Sequence, residues 1–118
     1  MTRPRPRCPD EITTGQMTWT ITLDADRIRD IAESGEYDEL YGSTLKSRLE
    51  LLIDPGVPEP VLVDTVVHEG IHALLMAYGI GFPSDEAEEH FVRQFTPALI
   101  ALIRDNPELV RWVQHPTG

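Results

Sequence analysis

The sequence predicts an α+β domain, on two observations: two short segments alternate apolar and polar residues as half-buried strands do, and two longer segments, one unbroken and one carrying Pro97, place apolar residues at helical spacing. Residues 18–23 form the first strand pattern, with Trp19, Ile21 and Leu23 on one face and Thr18, Thr20 and Thr22 on the other. Asp24 is placed to N-cap a short helix whose apolar positions, Ile28, Ile31 and Ala32, stop at Gly35. Leu49, Leu51 and Ile53 alternate in a second strand that ends at the turn-former Asp54-Pro55-Gly56. Residues 37–45, with Gly42 inside, are a candidate hairpin arm for it, so the expected sheet is small, about two or three strands.

Pro58 and Pro60 allow a helix to begin only at or after Pro60, and nothing interrupts it through Tyr78 before Gly79 and Gly81. A third helix is expected over about residues 84–104, with Ser84 as N-cap and the acids from Asp85 to Glu89 in its first turns, where the dipole favours negative charge. Pro97 should kink it, because its ring cannot donate to the Arg93 carbonyl. Asn106, Pro107 and Glu108 read as the start of a last short helix whose face to bury is Leu109, Val110, Trp112 and Val113.

The bulk properties fit one domain: 118 residues with 41% hydrophobic content can bury a single modest core. Residues 1–16 mix Pro, Arg, Thr and Gly and read as a flexible tail, with Met17 opening the patterned region, so the expected domain is 17–118. A net charge of -10 opposes binding to nucleic acid or anionic membranes and favours a cationic partner or a metal ion. Cys8, the only cysteine, lies in the tail, so metal ligands must be nitrogen and oxygen. No apolar run approaches the length of about 18 residues that a membrane span needs, and the N-terminus lacks the h-region of a signal peptide; the expectation is a cytoplasmic protein.

Residues 68–72 read His-Glu-Gly-Ile-His, the H-E-x-x-H pattern, in a segment assigned to a helix on independent grounds. Only a helix brings residues i and i+4 onto one face, near enough for two imidazoles to share a tetrahedral zinc ion. With Val67 set at zero, Leu74, Tyr78, Ile71 and Leu75 form a stripe from about -20° to 80°, His68 and His72 lie near its edge at about 100° and 140°, and Glu69 points further toward solvent at about 200°. The plain alternative is an ordinary helix surface with a solvated Glu69 and two hydrogen-bonded histidines.

A third ligand should come from the next helix, where the candidates are Asp85, Glu86, Glu88, Glu89 and His90. With Val92 set at zero, the stripe expected there, Phe91, Phe95, Ala98, Leu99, Leu102 and Ile103, spans about -120° to 20°. Glu89 lies at its edge and is favoured. Glu88 lies inside it and stays open as an alternative, because a carboxylate on an apolar face needs a cation or hydrogen bonds. Both could instead serve only to complement the helix dipole.

Residues 66–75 (VVHEGIHALL) resemble the active-site helix of zincin metallopeptidases, and the order H-E-x-x-H followed by a glutamate on the next helix resembles the gluzincin group. Residues 88–99 (EEHFVRQFTPAL) and 105–110 (DNPELV) are similar to the small single-domain H-E-x-x-H proteins of tailed phages of actinobacteria. Glu89, Val92 and Phe95 also match, more distantly, the glutamate spacing of ImmA/IrrE-type peptidases. The resemblance implies a minimal zincin-like domain with zinc on His68, His72 and Glu89, Glu69 as base, and an edge strand near residues 47–53 that aligns an extended peptide. For a phage-encoded protein, it places the activity in the host cytoplasm.

On this reading the protein is a zinc metallopeptidase acting on a peptide or protein substrate, with no nucleic-acid or membrane partner. The rival reading is a non-catalytic acidic phage or host-interaction protein with a structural or vestigial metal site. Glu69 discriminates, since a structural site has no use for a base and closes its fourth position with another protein ligand.

Overall fold

In the computed structural model of the chain, residues 6–34 and 40–115 are described. They form an α+β structure with a four-stranded mixed sheet, and the chain divides into two compact units, residues 1–81 and 82–118.

The first unit holds β1 (Glu11–Thr14), β2 (Met17–Leu23), α1 (Ala25–Ser34), β3 (Gly42–Leu45), β4 (Glu50–Ile53) and α2 (Glu59–Ala77). Strand order is β1-β2-β4-β3, with β2 and β4 parallel and the outer pairs antiparallel. The 1–16 tail assignment is therefore corrected: residues 11–14 are a strand, joined to β2 through Gly15, whose φ of +61° suits glycine in a tight turn. The Nε1 of the fully buried Trp19 donates to Thr14 Oγ1 at 2.8 Å, so β1 satisfies the one polar atom of the largest core side chain. Cys8 is corrected likewise, because it packs half-buried against the core, and burial first, Asp10 second, push its thiol pKa up.

The alternation in β2 holds at Trp19 and Ile21 and fails at its end, where Leu23 is 47% exposed. Trp19, Ile21, Leu51, Ile53 and Ala73 of α2 make the core on one face of the sheet. Cross-strand partners share a face, so Ile12, Gly42 and Thr44, opposite Trp19, Ile53 and Leu51, belong to that same face. Leu52 is also buried, on the other face, because α1 packs there on β4. Arg27 of α1 makes a bidentate pair with Glu50 at 2.7 and 3.0 Å, and Thr22 donates to the same carboxylate. Asp24 accepts from the Arg27 N–H as the cap expected of it.

β3 pairs with β4 as the expected hairpin, over residues 42–45; positions 37–39 of that arm lie outside the described residues. β4 is an inner strand, which corrects the expectation that residues 47–53 form an edge; the edges are β1 and β3.

α2 starts at Glu59, with Pro60 in its first turn, and ends in a Schellman motif: Gly79, at φ +64°, donates to Met76 O and Ile80 to Leu75 O. Among the described residues it is the one helix long and apolar enough to cross a membrane, by length and composition only. The same helix packs against β1, β3 and β4.

The second unit is α3 (Asp85–Asp105) and α4 (Pro107–Gln114). Ser84 caps α3 by accepting from Ala87 N, as expected, and Pro97 lies inside the helix. Two expectations are corrected. The buried positions of α3 are Val92 and Thr96, while Phe91, Phe95, Leu102 and Ile103 are exposed. The apolar face of α4 is exposed too, Trp112 at 68%, and the Asn106 side chain turns back to donate to Leu102 O.

Candidate metal centre

His68 and His72 sit one helical turn apart on α2, both half-buried, with ring centroids 5.0 Å apart and planes at 65°. The proline-started, glycine-ended apolar helix accounts for this pairing, because it holds i and i+4 on one side. Between them Gly70 presents no side chain, and a Cβ there would sit 3.4 Å from Ile12 Cδ1, which shows how closely β1 approaches this turn.

Glu69 is where the structure departs most from the sequence reading. It is 8% exposed, not solvated, and lies with Thr65 and Ala73 among the buried positions of α2. The expected stripe misplaced the core: Ile71 and Leu75 are buried, but Leu74 is exposed and Tyr78 is 62% exposed. The helix is apolar on more than one side, and the side facing the sheet is the one that carries Glu69.

A carboxylate this buried requires hydrogen bonds. Thr44 of β3 supplies one: its Oγ1 lies 2.9 Å from Glu69 Oε1 and 3.2 Å from the Glu69 main-chain oxygen. Two residues earlier, Gly42 makes this approach possible. A Cβ at Gly42 would come within 2.7 Å of Thr65 Cγ2 and 3.0 Å of Glu69 Cγ. Thr65 cannot easily turn away, since its Oγ1 donates to Val61 O at 2.7 Å. Neither Gly42 nor Thr44 was legible as a functional position, because nothing local in the sequence marks which face of a short strand will meet a distant helix.

In the second unit, Glu88 and Glu89 are half-buried in the first turns of α3, flanking the buried line through Val92 and Thr96. Glu89 Oε1 lies 3.8 Å from Arg93, one turn on. Asp85, Glu86, His90 and His115 are exposed. Two imidazoles and a carboxylate make a donor set suited to zinc, so the residues present fit the metal that the motif implies. The chain matches no family model, no curated protein and no solved structure.

Proposed function

We propose that the protein is a zinc-dependent metallopeptidase of the zincin type, with zinc held by His68, His72 and Glu89 and with Glu69 as general base. The observation that carries this reading is a glutamate, 8% exposed, set between two half-buried imidazoles on one helix and hydrogen-bonded from the sheet. Burying a carboxylate costs free energy unless it is paired or hydrogen-bonded, so a buried glutamate held between two imidazoles supports a chemical role for it. Support for the ligand set is its chemistry: two half-buried imidazoles one turn apart on α2 and a half-buried carboxylate in the first turns of α3 are the nitrogen and oxygen donors that zinc takes.

When bound, zinc supplies Lewis-acid polarisation of a carbonyl and brings the pKa of a water to about 7. The chain contributes the rest. His68 and His72 present neutral nitrogens from a rigid helix, Glu89 adds one negative charge, and Glu69 takes a proton from the attacking water and returns it to the departing amine.

The test is Glu69→Gln. A carboxamide cannot accept the proton, so cleavage of an unfolded or peptide substrate should fall by about 10²-fold or more while zinc content is retained. If the wild type shows no zinc-dependent cleavage across a broad peptide library, the acidic interaction-protein reading replaces this one. If Glu69→Gln loses zinc, Glu69 is structural. For the third ligand, Glu89→Gln should abolish most zinc affinity, whereas Glu88→Gln should cost about 10-fold to 100-fold, as an outer partner would. The reverse order moves the assignment to Glu88.

A further inference from the structure

We propose that Thr44 is a positioning residue for Glu69, holding its carboxylate in one rotamer from the neighbouring strand; as a statement about catalysis this rests on the function proposed above. The chain of contacts is short. Gly42 and Thr44 share the α2-facing side of β3, two residues apart, and are pinned in register opposite Ile53 and Leu51 of β4. Gly42 lets that edge strand lie against α2, since any Cβ there would meet Thr65 and Glu69. The Thr44 hydroxyl is thereby delivered to 2.9 Å from Glu69 Oε1.

A glutamate side chain has three rotatable bonds, and on a helix surface it samples many rotamers. A donor fixed by a strand removes that freedom and leaves the carboxylate pre-oriented, which is where a base gains rate without gaining substrate affinity. The β-branched threonine is itself stiff, so the hydroxyl is aimed by the backbone of β3.

The experiment uses the full chain with Thr44→Val, which keeps the shape and removes the donor, and Thr44→Ser, which keeps the donor. Thr44→Val should lower kcat about 10-fold to 100-fold with KM and zinc content unchanged, and Thr44→Ser should stay within about threefold of the wild type. An unchanged kcat in Thr44→Val, or an equal loss in Thr44→Ser, overturns the proposal. A second readout needs neither metal nor turnover: in a double-mutant cycle on the metal-free protein, the Tm losses of Thr44→Val and Glu69→Ala should be less than additive. Additive losses overturn the contact. Coupling in the cycle together with an inactive wild type would preserve the positioning of Glu69 and remove the peptidase reading.

Discussion

Gly42 shows how one missing side chain sets the geometry around Glu69. Gly42→Ala places a methyl 2.7 Å from Thr65 Cγ2, so β3 or α2 must shift, and overpacking of this kind costs about 1–3 kcal/mol. Urea unfolding of the variant should show that loss. Thr14 makes the same point from the other edge of the sheet. Thr14→Val leaves the buried Trp19 N–H without its acceptor and should destabilise the protein by about 1–3 kcal/mol, measured the same way. At this scale the sequence announced His68, Glu69 and His72 by their spacing, because helix geometry converts a five-residue pattern directly into proximity. It was silent on Thr14, Gly42 and Thr44, whose partners lie on other elements and leave no local trace.

Among the elements, the parallel pairing of β2 with β4 brings α1 against the sheet face opposite α2, and the Arg27–Glu50 pair fastens it there. Hydrogen bonds from Arg27 and then Thr22 hold the Glu50 pKa down to about 2, below its usual 4.5. A depressed carboxylate pKa contributes stability that is fully present above the unfolded value and is lost as pH falls through the folded one. The wild-type advantage over Glu50→Gln should therefore be constant above a pH of about 5 and shrink between there and about 2, followed by denaturant midpoints across that range. The strands at 17–23 and 50–53 and the helices from Glu59 and Asp85 were legible because each carries a period and a start or stop residue. β1 was not, since Ile12 is the only apolar residue in its four and two consecutive threonines follow it. The core faces of α2 and α3 were only partly legible: α2 is apolar on more than one side, and α3 buries Val92 and Thr96 at one edge of the expected stripe while leaving its phenylalanines exposed.

At the scale of the whole molecule, a chain of net charge -10 divides into a sheet-and-helix unit that carries the two imidazoles and Glu69 and a helical unit that carries Glu88 and Glu89. A ligand that binds only the folded state stabilises it by about 2.7 kcal/mol at a hundredfold excess over its Kd, so chelator treatment should lower Tm and added zinc should restore it. Zinc held through the H-E-x-x-H helix is what we propose for this protein, and elemental analysis of the full chain, purified without chelator beside His72→Ala, tests it most directly. About one zinc per chain in the wild type and almost none in the variant is the expected result; below about half a zinc in the wild type, or unchanged zinc in His72→Ala, would contradict it.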